Sequence, residues 1–325
     1  MPATVTHAYF ANDLYDILPI GLKKLLMDDK QKLRMFAQST DPFIFYNLLK
    51  KKDQKIREFQ GYFHKNKSQE FFINLINYIK YNNYYQNSEI MAFLYGFISH
   101  YVLDSKIHPY VVYKTGEFKE DDPNTYKYRN KHEYMENFLD NYMIKQKENI
   151  TPYNFKFYDF TFDLTPFSKE LIEVIDYAFK ETFNFNDFSN YYYKSLKDMY
   201  KALKYLRYDK YGFKMFCYKT VDKFTSPKTF KFQAISYHTN LKDEFNYLNT
   251  NHSTWTHPSI KREKHNESFI ELYSIALKDA KKIITDVNSY LKGTRKINLK
   301  TVFKNYSYLT GKNCNNKNIL KYFEY

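Results

Sequence analysis

Residues 88–110 read SEIMAFLYGFISHYVLDSKIHPY, and they predict the element around which this chain folds. From Ser88 to about residue 107 the apolar side chains fall on most sides of a helical wheel, which is typical of a helix buried at the centre of a protein. Pro109 predicts the end of this helix, because the residue before a proline disfavours helical backbone. The stretch therefore favours a mainly α fold class: a multi-helix bundle with minor extended segments.

Three polar side chains interrupt the apolar stretch at regular intervals. His100, Asp104 and His108 are spaced four residues apart, and four residues advance a helix by about 400°, so the three side chains share one stripe. An unpaired charge in a buried helix is very costly, whereas imidazole nitrogens and carboxylate oxygens are accepted ligands of a divalent metal such as zinc. His132 and Glu136 repeat the spacing further along the chain. We favour a metal site over the alternative, core histidines bonded to backbone groups.

Composition limits the class of protein. Of the 325 residues, 43% are hydrophobic and 26% are charged, a profile typical of a globular protein with a substantial core. The net charge of +14 favours a polyanionic partner, either an anionic membrane surface or nucleic acid.

Cys217 and Cys314 lack the spacing of a metal or redox motif, so we expect free thiols. The N-terminus lacks a secretory signal pattern and no apolar stretch reaches the length of a membrane span, which predicts a cytoplasmic protein.

The rest of the chain is also mainly helical in its patterning. We predict one helical domain over residues 1–325, with a metal-binding core at 1–147 and a helical extension from about 165 to 325 packed on it. Alternating residues at 151–166 suggest a short strand or an extended crossover, and 229–237 alternate again. Further helices are predicted at 18–37, 68–81, 130–147, 167–183, 187–208, 210–223 and 266–292, with polar loops at 114–129 and 238–265 and irregular chain at 293–315.

The segments that carry these histidines and carboxylates resemble, in order, those of the bacterial zinc-dependent phospholipase C family. Its all-helical fold is shared with single-strand-specific zinc nucleases. The resembling segments are Thr6-His7, Thr40-Asp41-Pro42-Phe43-Ile44-Phe45-Tyr46, His64, the helix with His100, Asp104 and His108, and His132-Glu-Tyr-Met-Glu136-Asn-Phe-Leu-Asp140. The later stretch from Leu248 to Pro258 also looks like related bacterial sequences.

The resemblance implies a cofactor of two or three zinc ions and a set of ligands. One zinc would take Asp41, His64, His100 and Asp104, a second would take His108, His132 and Glu136, and a third would use His7 and share Asp104. Asp41 is also the expected catalytic general base. Asp140 is expected to orient a ligand histidine. Trp255 and His257 either contact substrate from a flap over the metals or lie in a surface loop.

The function that the resemblance implies is hydrolysis of phospholipid headgroup phosphodiesters, as in a phospholipase C. Closely spaced zinc ions polarise phosphoryl oxygens and activate water, which suits a phosphodiester substrate. Two alternatives stay open: a zinc-dependent nuclease acting on single-stranded nucleic acid, for which the same ligands would serve, and a non-enzymatic metal-binding protein of the same fold. The headgroup and the oligomeric state are left open by the sequence.

Overall fold

The longest helix in the computed structural model, which describes residues 4–238 and 242–324, is α6 (Ser88–Thr115). It begins after Asn87, whose side chain accepts a hydrogen bond from the Ile90 amide, and its residues are buried almost throughout, as predicted. The predicted end at Pro109 is wrong. The helix continues for six residues beyond it, to Thr115, and Gly116 is the C-cap. A proline inside a helix leaves the carbonyl four residues earlier without its donor, here Ser105, and a later segment of chain lies against that carbonyl.

The N-terminal half of the chain surrounds α6 with shorter helices. The helix predicted at 18–37 is two helices separated at residues 27–29, and the first helix of the chain has no counterpart in the predictions. That first helix is buried on most sides and therefore lacks an amphipathic pattern. The helices are α1 (Thr4–Ile17), α2 (Ile20–Leu26), α3 (Lys30–Phe36), α4 (Gln54–Phe63), α5 (Ser68–Tyr81) and α7 (Lys131–Glu148), with 3-10 turns at Asp41–Phe45, Lys51–Asp53, Tyr84–Gln86 and Pro123–Tyr128.

The C-terminal half is helical as well, and the strand suggested at 151–166 is wrong. That segment forms a 3-10 turn and the short helix α8, since its alternating aromatic residues pack beneath α1 and α3 instead of pairing in a sheet. The alternating residues 229–237 likewise hold a 3-10 turn, Phe232–Ile235. The helices are α8 (Phe157–Thr161), α9 (Lys169–Phe183), α10 (Phe188–Ala202), α11 (Phe213–Lys223), α12 (Phe269–Leu291) and α13 (Leu299–Val302), with a π turn at Leu203–Arg207 and an antiparallel pair, β1 (Trp255–Thr256) and β2 (Lys264–His265), within the predicted loop.

The packing around α6 positions its polar stripe. α1, α3 and α7 contact α6, and α12 packs along it. A continuous cluster of buried apolar side chains extends from Val5 to Tyr308, so chain segments from both ends contribute to one core. Within residues 4–238 and 242–324, no helix has the length and apolar character needed to cross a bilayer.

Candidate metal centre

Five of the predicted ligands, carried by four segments of chain, meet beside α6. His7 comes from α1, Asp41 from the turn after α3, His64 from the end of α4, and the last two from α6. Every one of them is at most 7% exposed. We call this group the inner cluster: His7, Asp41, His64, His100 and Asp104.

The side-chain atoms of the inner cluster point at one another. Asp104 lies between two imidazoles, with Oδ1 3.1 Å from Nε2 of His7 and Oδ2 3.0 Å from Nε2 of His100. Asp41 Oδ1 is 3.3 Å from Nε2 of His64, and its Oδ2 is 3.5 Å from Nε2 of His100. The rings of His7 and His100 stack with centroids 4.2 Å apart. Five ionisable groups therefore share a volume from which water is largely excluded.

Several atoms of the inner cluster have no hydrogen-bond partner of acceptable geometry. They are His7 Nδ1, Asp41 Oδ2, His64 Nε2, His100 Nε2 and Asp104 Oδ2. Buried polar atoms are almost always paired, because an unpaired one forfeits its hydration without compensation. Nitrogen and oxygen donors that converge without protein partners are the arrangement expected of ligands to a metal ion. The residues thus fit the metal that their spacing predicts.

A second group of ligands lies one helical turn further along α6. The outer cluster is His108 with His132 and Glu136 of α7. Glu136 Oε1 lies 2.9 Å from Nε2 of His132 and 3.6 Å from Nε2 of His108. His108 also approaches the inner cluster, with Nδ1 3.3 Å from Oδ2 of Asp104. The candidate ligand atoms lie within 4.8 Å of one another in His108–His132–Glu136, and in two overlapping trios of the inner cluster, His7–Asp41–His100 and His64–His100–Asp104.

The electrostatics of the metal-free centre are set by burial and by these close pairs. Burial disfavours a charge on His100, but Asp104 and Asp41 outweigh it and raise the pKa of His100 to about 9. Burial and the neighbouring His100 lower the pKa of His7 to about 4. Burial raises the pKa of Asp41 to about 6. The pKa of Asp104 is held well below its usual range despite burial, chiefly by His100. Without a metal, one imidazolium is thus held between two carboxyl groups.

A backbone carbonyl at the end of α3 fixes the orientation of His100. Its Nδ1 donates to the carbonyl of Ala37, 2.8 Å away, so Nε2 is the nitrogen that faces the cluster. This contact needs a close approach of α3 to α6, which Gly96 provides: a Cβ at that position would lie 2.6 Å from Cβ of Phe36. A hydrogen bond from the far ring nitrogen to a carbonyl is how proteins orient a metal-binding histidine.

Comparison with known protein families decides the class. The sequence model of the family described as zinc dependent phospholipase C matches residues 6–206. The chain belongs to this family. The matched segment includes the whole inner cluster and the whole outer cluster. It confirms the resemblance, the helical fold class and a zinc hydrolase of the phospholipase C type. No curated protein and no solved structure matches the chain.

A C-terminal segment outside the matched region also supports residues of both clusters. The Tyr308 carbonyl accepts a hydrogen bond from Nδ1 of His108 at 3.0 Å, and the Tyr308 amide donates to the His64 carbonyl at 2.9 Å. The Tyr308 ring stacks on the imidazole of His64, with centroids 4.8 Å apart. Gly311 brings this segment onto α6: a Cβ there would lie 2.3 Å from the Ser105 carbonyl oxygen, the one that Pro109 leaves without a helical donor.

Tyr308 was missed by the sequence reasoning, and so was Gln60. Gln60 Nε2 lies 2.8 Å from Oδ1 of Asp41 and 2.8 Å from Nδ1 of His64, so one amide spans two ligands of the inner cluster. Tyr308 acts through its backbone and ring, for which the sequence offers no motif. The spacing of Gln60 and His64 on one face of α4 was the one available signal for Gln60.

Asp140 contacts no ligand histidine directly. Its carboxylate accepts hydrogen bonds from the amides of Val5 and Thr6, at 3.0 and 2.7 Å, and from the hydroxyl of Tyr237. It thereby fixes the first turn of α1, which carries His7. Burial raises the pKa of Asp140 to about 6. Its effect on the inner cluster is therefore transmitted through the α1 backbone.

Trp255 and His257 lie on a different face of α6 from the two clusters. The Trp255 indole donates to the Glu267 carbonyl at 3.2 Å, and its ring stacks on His265. His257 Nε2 lies 2.9 Å from the Thr310 carbonyl oxygen. Both line a cavity of about 640 Å³ beside Val102 and Ser105 of α6. None of these contacts involves a residue of either cluster, and contact with substrate stays a prediction.

Proposed function

We propose that this protein is a zinc-dependent phosphodiesterase that hydrolyses the headgroup phosphodiester of phospholipids. The observation that carries the proposal is the pair of adjacent ligand clusters, linked by the 3.3 Å contact between Asp104 and His108, with buried donor atoms of the inner cluster unpaired. Membership in the zinc-dependent phospholipase C family supports the same chemistry.

The ligand sets favour two zinc ions, with a third requiring further donors. Nε2 of His100 belongs to both overlapping trios of the inner cluster, and a ring nitrogen has a single lone pair for a metal. One ion therefore takes His100 with Asp41, His64 and Asp104. A second takes His108, His132 and Glu136. A third ion would have only His7 and a shared Asp104 from this cluster.

The exposure of the ligands indicates the side from which substrate enters. When bound, the zinc ions would polarise the phosphoryl oxygens and favour ionisation of the attacking water. His100 and Asp41 are fully buried, whereas the side chain of His132 is 25% exposed. The phosphodiester therefore approaches the outer cluster first, and the inner cluster forms the closed end of the site.

Asp41 is our proposed general base. In the metal-free protein its pKa is raised to about 6 by burial, whereas the pKa of Glu136 is held below its usual range, because His132 outweighs the opposing effect of burial. A carboxylate with a pKa nearer neutrality accepts a proton more readily. Gln60 donates to Asp41 Oδ1 at 2.8 Å and holds the carboxylate in place.

The proposal is tested by metal analysis followed by assays with and without chelator. The substrates are phosphatidylcholine vesicles, a para-nitrophenyl phosphodiester and single-stranded DNA. We expect bound zinc, chelator-sensitive hydrolysis of the first two, and no cleavage of DNA. DNA cleavage without lipid hydrolysis would replace the proposal by a nuclease. Activity indifferent to chelator, or absent from zinc-loaded protein, would contradict it outright.

A further inference from the structure

We propose that α11 and the chain that follows it form a membrane-docking surface for anionic phospholipid bilayers. The inference rests on the proposed function in one respect, the phospholipid nature of the substrate. The surface itself follows from the exposure, anchoring and charge of residues 208–232.

α11 exposes its apolar side chains. Phe213 is 70% exposed, Phe216 is 68% exposed, and Phe224, directly after the helix, is 87% exposed. Val221 lies on the same side and is half exposed. These positions are spaced so that they fall within one side of the helix. Large apolar patches on a protein surface mark interaction sites, because their exposure to water is unfavourable.

Polar contacts, rather than apolar burial, hold α11 in place. At its start, the Asp209 carboxylate accepts hydrogen bonds from the amides of Lys214 and Met215. At its end, the Lys231 ammonium donates to the carbonyls of Asp222 and Thr225. Asp222 is the only buried residue of the helix. The phenylalanines are thus not needed to anchor α11 and are available to a partner.

The charge of this surface is positive. Between residues 203 and 238 the only acidic residues are Asp209 and Asp222, and both are buried and bonded to backbone amides. The exposed charges are lysines, among them Lys219 and Lys223, three and seven residues after Phe216 and so on its side of the helix. Exposed aromatic side chains flanked by lysines match the interface of an anionic bilayer.

The same surface is joined to the open side of the zinc centre. The turn after α11 is fixed to α7 at two points: Asn130 Oδ1 accepts from the Lys231 amide at 2.7 Å, and Asn137 Nδ2 donates to the Ser236 carbonyl at 2.8 Å. These two asparagines bracket His132, the most exposed zinc ligand. Arg129, three residues before His132, stacks against Phe230. A bilayer held by α11 would thus meet the protein near the entrance of the site.

A bilayer fits this surface better than a second copy of the chain. Two copies would bring like-charged lysines together, which is unfavourable, whereas an anionic lipid surface neutralises them and accepts the aromatic rings.

The test is co-sedimentation with vesicles of phosphatidylcholine containing phosphatidylserine, carried out in chelator so that binding is separated from catalysis. In the patch variant, Phe213→Ser, Phe216→Ser and Phe224→Ser are combined. We expect its vesicle partition coefficient to fall at least about tenfold. Replacing Lys219 and Lys223 by Glu should lower it by about tenfold as well, and high salt should reproduce this loss.

A matched control removes two other exposed apolar side chains, Ile20 and Tyr81, which are 73% and 86% exposed. This control variant, with both changed to Ser, should bind vesicles like the wild type, and the patch variant should keep full turnover of a soluble para-nitrophenyl phosphodiester. Unchanged vesicle binding in both α11 variants would overturn the inference. It would also be overturned if the wild type were a dimer, the patch variant were a monomer, and the two bound vesicles equally. If the wild type binds vesicles through α11 but hydrolyses neither substrate, the proposed function fails and the docking surface stands.

Discussion

Replacing Asp104 by Asn tests the inner cluster most sharply, because this carboxylate contacts His7, His100 and His108. Asp104 and Asp41 together raise the pKa of His100 from 6.5 to about 9. A pKa rise of this size corresponds to about 3 kcal/mol of favourable interaction with the protonated ring, which sets the scale of the stability that the variant loses in zinc-free protein. Zinc affinity should fall at least about tenfold, since one ligand is gone.

The assay measures zinc content by mass spectrometry and the free energy of unfolding in urea, with and without chelator. The stability loss in chelator should be largest near pH 6, where His100 is protonated, and should shrink toward pH 9. Asp222→Asn is the matched control: it also alters a buried, bonded carboxylate, so it should lose stability but keep its zinc. Full zinc content and turnover in Asp104→Asn would show that Asp104 is not a zinc ligand.

Three further predictions concern the metal, pH and the C-terminal segment. His132→Ala should keep the inner zinc and lose the outer one, so metal analysis should show a partial loss with turnover reduced at least about hundredfold; loss of all zinc would contradict separate sites. In zinc-free protein, protonation of His100 contributes its full stabilisation below pH 6.5, and this stabilisation is lost as the pH rises through about 9. The free energy of unfolding should therefore decline between pH 6.5 and 9. Zinc binding at pH 7.5 should displace a proton, which calorimetry in two buffers of different ionisation enthalpy would measure. Gly311→Ala would place a Cβ 2.3 Å from the Ser105 carbonyl at a positive φ, and should lower both the melting temperature and the zinc content. Gly21→Ala, in helix α2 where a Cβ meets nothing within 4 Å, should lower neither.

The sequence predicted the residues that meet beside α6 better than it predicted the chain that surrounds them. The contacts along α6 and α7 could be predicted from the four-residue spacing, because residues four apart on a helix lie on the same face. The continuation of α6 past Pro109 could not be anticipated, because it involves the packing of a distant segment, at Gly311, against the freed Ser105 carbonyl. α1 was missed because a helix buried on most sides has no polar face to mark its period.

The contacts that the C-terminal segment makes with the two clusters could not be predicted from the sequence for a different reason. Tyr308 holds His108 and His64 through its own carbonyl and amide, groups that every residue carries, so no residue type signals the contact. Asp140 was predicted to orient a ligand histidine. Its carboxylate instead accepts hydrogen bonds from the amides of Val5 and Thr6, and so holds the helix that carries His7.

The inner and outer clusters are both expected to bind zinc. The most direct measurement is crystallographic, with diffraction data collected on either side of the zinc absorption edge from crystals of the purified, unchelated protein. We expect one anomalous peak among Asp41, His64, His100 and Asp104, and a second among His108, His132 and Glu136. Zinc-replete crystals of the folded protein with no anomalous peak in either cluster would rule out zinc binding at these residues.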